Sequence, residues 1–95
     1  EIKKGKEDYK EKYITIPSLR LDAIVSSTLN LSRNDSLNFI KHGKIKVNWE
    51  PISKPFFEVN EGDLVSVKGY GRFILSRVFG KTKRNRVKAS ITIFK

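Results

Sequence analysis

The hydrophobic period of this chain changes once, at Gly43, and that switch limits the folds open to it. Before the switch, Leu21, Ile24, Val25 and Leu29 recur at spacings of three and four, one face of a helix. After it, Ile45 and Val47 alternate with Lys44, Lys46 and Asn48, a strand with one apolar and one basic-polar face. Helices early and strands late, in a chain of 95 residues, predict one α+β domain: two short N-terminal helices packed on a small antiparallel sheet.

The pattern predicts two helices over residues 18–43. The first starts just after Pro17, with Ser18 or a neighbour as N-cap. The second opens at Ser32, whose hydroxyl can accept from a free first-turn amide, with Asp35 three residues on as an imperfect capping box. Leu37 and Ile40 face inward. Lys41 and His42 occupy the last turn, where the helix dipole favours cations, and Gly43 is the left-handed stop. Leu31 alone lies between Asn30 and Ser32, so the helices must turn sharply against each other. The expected core is Leu21, Ile24, Leu29, Leu37, Ile40, Ile45, Val47 and Val65.

Tyr13 to Ile16 reads as an edge strand stopped by Pro17. Residues 1–12 are charged, nearly free of apolar groups and interrupted by Gly5, and are expected to form a flexible lead-in. Downstream, Trp49-Glu50-Pro51 reads as a turn, and Lys54-Pro55 and Glu61-Gly62-Asp63 as further turns. Leu64 to Lys68 is a strand with Leu64, Ser66 and Lys68 on one side. Arg72 to Phe79 and Val87 to Phe94 are strands around a basic loop, Gly80 to Arg86.

Charge is segregated along the chain. Residues 1–16 hold five Lys against four acids, and residues 17–68 hold seven basic residues against six acids. Residues 69–95 hold eight basic residues and no acid, so nearly all of the net charge of +10 lies there. Such a footprint fits a polyanion, with a solubilising tail as the plainer alternative. The absence of Cys excludes disulfides and thiolate chemistry, and a single His excludes a histidine metal cluster, so no cofactor or metal is expected. No apolar run reaches the roughly 18 residues a membrane span needs, and no signal-peptide core is visible. The chain opens at Glu1 rather than Met, as an excerpt of a longer protein would.

No catalytic arrangement emerges. His42 is explained by its place at a helix end and lacks a nucleophile elbow nearby. Glu61 and Asp63 flank Gly62 as turn residues do, and Gly69-Tyr70-Gly71 is too short for a phosphate loop. The chain is read as a non-enzyme without a small-molecule substrate.

Several pieces recur in an order that identifies them together: Arg20-Leu21-Asp22, then Ser32-Arg33 opening the second helix, then Gly43 followed by Ile45-Lys46-Val47-Asn48, and later Gly62-Asp63 before an apolar strand. This ordered set, over residues 18–68, resembles the S4-type RNA-binding domain. Trp49 departs from it, standing where many members have Gly. Val47-Asn48-Trp49, Gly69-Tyr70-Gly71-Arg72-Phe73 and Gly80-Lys81-Thr82-Lys83 also look like the C-terminal part of YlmH-type bacterial proteins, which are ribosome-associated and connected with translation quality control. The resemblance implies an S4-like fold (the alpha-L motif) over residues 13–95, with a core motif at 18–68 and a basic C-terminal hairpin at 69–95. It also implies a cytoplasmic bacterial module that docks on ribosomal or transfer RNA, with the ribosome as partner and no membrane.

The expected RNA-binding residues combine that likeness with the physics of phosphate recognition. Ser32 and Arg33 stand at a helix start, where free amides and a guanidinium favour phosphate. Lys41, Lys44 and Lys46 are spaced to follow a backbone, with Asn48 and Trp49 at its end. Lys81, Lys83, Arg84 and Arg86 form a second, electrostatic surface. Arg20 is a weaker candidate, since Arg-Leu-Asp can instead orient Asp22 as an ion-pair anchor, and Arg33 has Asp35 within reach. Trp49 either covers the core or stacks on an unpaired base. Alternative functions are the RNA-targeting domain of a pseudouridine synthase or methyltransferase, and a helix-turn-helix DNA binder. The second of these would have a recognition helix poor in cations at Asn34, Asp35 and Asn38. Binding to anionic membranes would require a basic amphipathic helix, which the sequence does not offer.

Overall fold

The computed structural model describes residues 9–94, so residues 1–8 of the expected lead-in lie outside it. The chain runs through β1 (Tyr9–Ile16), α1 (Leu21–Leu29), α2 (Arg33–Lys41), β2 (Ile45–Val47), β3 (Glu50–Pro51), β4 (Leu64–Val67), β5 (Gly71–Lys81) and β6 (Val87–Phe94). The strands form one sheet in the order β1-β6-β5-β4-β2-β3, and every neighbouring pair is antiparallel. Leu21, Ile24 and Val25 of α1 and Ile40 of α2 meet Ile14, Ile16, Ile45, Val47, Val65, Phe73, Leu75 and Ile91 of the sheet in one buried cluster. The α+β expectation therefore holds, with a sheet of six strands.

The helix pair turns where the spacing requires. Asn30 takes the left-handed conformation (φ 57°), which ends α1. The Leu31 amide then donates to the Ser26 carbonyl (3.0 Å), while the Ser26 hydroxyl donates to the Leu31 carbonyl (2.6 Å). Ser32 caps α2 as expected, its hydroxyl accepting from the Asp35 amide at 3.0 Å. Gly43, at φ +70°, lets the chain leave α2 and enter β2.

Several expectations need correction. The N-cap of α1 is Arg20, not Ser18, and the Arg20 side chain makes no capping bond. Instead the Leu21 and Asp22 amides donate to the carbonyls of Phe57 (2.8 Å) and Pro55 (3.2 Å), so a loop distant in sequence satisfies them. Leu37 is only half-buried, because α2 turns Ser36 and Ile40 inward and Leu37 falls on the shoulder of that face. Leu29 likewise packs at the margin of the core. The turn after β2 is Asn48-Trp49, and Glu50–Pro51 pairs back on Val47 and Lys46.

The largest correction concerns β1. Residues 9–12 are not lead-in but strand, paired from Tyr9↔Phe94 to Lys12↔Ile91. The partner lies about eighty positions away in sequence, so local composition carries no trace of the pairing. Lys12 shares the inward parity of Ile14 and Ile16, and its ammonium donates to the carbonyls of Ser27 (3.1 Å) and Thr28 (3.0 Å). The last turn of α1 has no cation of its own, so β1 supplies one to its negative end.

Replacing Lys12 by Met keeps the apolar stem and removes that charge from two carbonyls. The expected loss is about 1–2 kcal/mol in urea unfolding, with faster amide exchange around Thr28. An unchanged midpoint would mean that β1 is held by its sheet pairing alone.

Candidate nucleic-acid interface

The two helix starts are tied by one carboxylate. Asp22, 1% exposed, lies in the first turn of α1. Arg20 grips it with two bonds, Nε to Oδ1 at 3.2 Å and Nη2 to Oδ2 at 3.0 Å, and Arg33 of α2 adds Nη2 to Oδ2 at 3.1 Å. Asp22 is thus the ion-pair anchor that the sequence allowed, with Arg20 as its partner, and the acid that Arg33 meets is Asp22, not Asp35. Both arginine side chains remain about half exposed, 47% and 51%, so each has donors left for a ligand.

Arg33 also faces the far end of the sheet. With Thr15, Ser27 and Arg86 it lines a groove of about 340 Å³. The Arg86 guanidinium donates to the Thr15 carbonyl at 2.9 Å, which holds the base of the β5–β6 hairpin beside the start of α2. The expected basic loop is shorter than its sequence suggested, because β5 continues through Gly80 and Lys81. Lys81, Lys83 and Arg84 are exposed around this end.

The remaining candidates gather elsewhere. Lys44, Lys46 and Trp49 line a larger groove of about 660 Å³ with Ser66, Lys68 and Arg72, and no described acid is among its lining residues. Lys46, Ser66 and Arg72 stand side by side across β2, β4 and β5, on the sheet face opposite Val47, Val65 and Phe73. Lys44 and Lys68 are joined at the rim, the Lys68 amide donating to the Lys44 carbonyl at 2.9 Å. Gly69 turns the chain there at φ +87°, and Tyr70 packs on Phe39 of α2 with ring centroids 5.5 Å apart. Lys41 is exposed in the last turn of α2, outside the groove lining. Along β5, Arg72 and Lys81 are nine residues apart, roughly 25–30 Å, so the structure separates the cations into two poles.

Lys68 and Arg72 were not among the sequence candidates. The alternation that put Lys46 on a polar face puts Ser66 and Lys68 on one face too, so Lys68 was within reach of the same signal. Arg72 gave no such signal, since its neighbour across the sheet is fixed only by register. Asn48 also has partners within the protein. Its side-chain amide donates to Asp63 Oδ1 (3.0 Å) and its carbonyl oxygen accepts from the Leu64 amide (3.0 Å). It locks the turn that presents Trp49. Glu61 and Asp63 are structural as well, accepting from the amides of Val78 (2.7 Å) and Asn60 (2.8 Å).

Trp49 does not cover the core. It is 60% exposed, with the Arg72 guanidinium 5.6 Å from its ring centroid. Asn48 (φ 51°) and Trp49 (φ 70°) are both left-handed, as a two-residue hairpin turn of this hand requires. Gly would suit the second position, whereas a side chain there costs about 1–2 kcal/mol. Trp49→Gly is therefore expected to stabilise the fold by about 0.5–1 kcal/mol in thermal or urea unfolding, after loss of the cation–π contact. A destabilised variant would mean that Trp49 packs for stability after all.

Residues 19–65 match the sequence profile of the S4 domain. The chain is 43% identical over 72 residues to ribosome-associated protein quality control protein P2 of Bacillus subtilis, covering 76% of this chain and 28% of that protein. It is 40% identical over 63 residues to small ribosomal subunit protein uS4 of Halothermothrix orenii, covering 65% of this chain and 30% of that one. An uncharacterized RNA pseudouridine synthase of Aquifex aeolicus is 33% identical over 51 residues, 54% of this chain and 21% of the synthase. The chain thus spans less than a third of each relative. The profile match begins one residue before Arg20 and ends at Val65, enclosing the Asp22-linked helix pair and β2 and reaching the start of β4, and the chain belongs to the S4 domain family.

Proposed function

We propose that this chain is a noncatalytic RNA-binding module that docks on structured ribosomal or transfer RNA in translation. One observation carries the reading. Lys44, Lys46, Lys68 and Arg72 converge on a single groove from two segments of the fold, and no described acid lines it to neutralise them. Such a cluster repels itself, and a phosphate backbone relieves that repulsion by exchanging counterions for lysines. Arg33 and the hairpin cations Lys81, Lys83, Arg84 and Arg86 form the second contact, so that one RNA is held at two poles. The relatives support the same direction: two are named for the ribosome or its subunit. A second reading, the RNA-targeting part of a modifying enzyme, is favoured by the likeness to a pseudouridine synthase. Both readings give this chain the same task of gripping RNA, and differ in what else a full-length protein would carry.

Binding of transfer RNA and of ribosomal RNA, measured from low to moderate salt, should weaken linearly with log salt, by about 0.7–0.9 in slope per phosphate engaged. Lys68→Ala and Arg72→Ala should each flatten that slope by about one unit. Lys54→Ala, whose side chain lines neither groove, should leave it unchanged. Slopes indifferent to Lys68 and Arg72 would remove the groove from the interface.

A further inference from the structure

We propose that Trp49 and Arg72 form a slot for one unpaired base, so that the groove prefers RNA with an unstacked nucleotide over continuous duplex. This deepens the RNA-binding reading and rests on it.

Trp49 is a misfit in its turn. A left-handed backbone at Trp49 is unfavourable for any residue with a Cβ, and the fold does not recover that cost by burial, since the ring is 60% exposed. A large aromatic in such a place is better explained by what it meets from outside. The ring is nevertheless held in position. Asn48 bonds the turn to Leu64 and Asp63, and Arg72 stands over the indole at 5.6 Å. A planar guanidinium and an indole at the mouth of one groove present two surfaces on which a base can stack, and stacking of this kind tolerates any base.

The surroundings select the chemistry of the ligand. Lys44, Lys46 and Lys68 line the same groove, placing ammonium groups where the phosphates flanking a stacked base would lie. Ser66 also lines it, and its buried hydroxyl has no hydrogen-bond partner among the described residues. The groove volume, about 660 Å³, falls in the roughly 300–1,000 Å³ range of sites that hold compact organic ligands. A cationic ligand would be repelled. An acidic peptide would satisfy the lysines but leave Trp49 without a planar partner. In a duplex the bases are already stacked on each other, so only the phosphates are on offer.

Trp49 is the only tryptophan in the sequence, so fluorescence excited selectively at tryptophan, beyond tyrosine absorption, reports on this slot alone. Three RNAs serve as probes: a hairpin with an unpaired loop, the same hairpin with abasic loop nucleotides, and a blunt duplex of the same stem. Quenching is expected with the first and not with the other two. Trp49→Gly, which suits the turn and so preserves the fold, should weaken binding of the unpaired-loop RNA by about 5- to 150-fold more than it weakens binding of the duplex. Equal quenching by the abasic hairpin, or equal weakening of loop and duplex by the variant, would overturn the slot while leaving RNA binding intact. Displacement of the hairpin by polyglutamate with the same quenching would assign the groove to acidic peptides. No binding of any of the three RNAs at low salt would remove both the slot and the reading beneath it.

Discussion

The arrangement of the helix pair depends on the buried carboxylate of Asp22. An isolated charge at that depth would cost several kcal/mol, and the structure offsets the cost with two guanidinium groups, one from the start of each helix. Because Arg33 belongs to α2, the pairing that neutralises Asp22 also sets where α2 begins. The first amides of α1 are held from another direction by the carbonyls of Pro55 and Phe57. With its start fixed, α2 places Arg33 beside Arg86 at one end and delivers Gly43 and Lys44 to the larger groove at the other. Both arginines stay about half exposed, so the ion pairs that build the fold also hold guanidinium donors toward solvent.

The sheet carries the same logic over a longer distance. β5 runs from Arg72 in the Trp49 groove to Lys81 at the base of the hairpin loop, so one strand links the two basic poles. Two irregularities in its pairing with β6, between Leu75 and Arg77 and between Val78 and Gly80, reset which residues face inward. The amide of Val78, which lies between them, is taken by Glu61. The acid-free stretch after residue 68 thus divides its cations between poles instead of forming a single patch. β1 closes the other side, and Lys12 ties it to the end of α1.

Much of this was legible from local pattern. The two helices, their sharp connection, the Ser32 cap and the Gly43 stop follow from spacing and capping chemistry, because each depends on residues within a turn or two. The alternation of Ile45 and Val47 with lysines fixed which side of β2 would be basic. What local pattern could not carry was anything set by distant partners. Tyr9 to Lys12 looked disordered because the chain that pairs with them lies at the other terminus. Ser18 looked like a cap because the carbonyls of Pro55 and Phe57 were out of sight. Arg33 was offered Asp35 as a partner by proximity in sequence, whereas the fold brings Asp22. In the candidate site, Lys44, Lys46 and Trp49 were found from type and spacing, but their association with Lys68 and Arg72 is a consequence of strand register. Asn48 shows the converse, a polar residue in the right place whose side chain is bonded to Asp63 and Leu64 within the protein.

The central claim is that RNA is gripped at two poles on this fold, the Trp49 groove and the Arg33–hairpin end. It is tested most directly by an amide chemical-shift titration of the chain with transfer RNA. Shifts are expected to concentrate at residues 43–49 and 66–72, with a second set at Arg33 and residues 81–86, both sets moving together. Shifts confined to the exposed aromatic face around Tyr13 and Phe79, where the rings lie 6.2 Å apart, would contradict it.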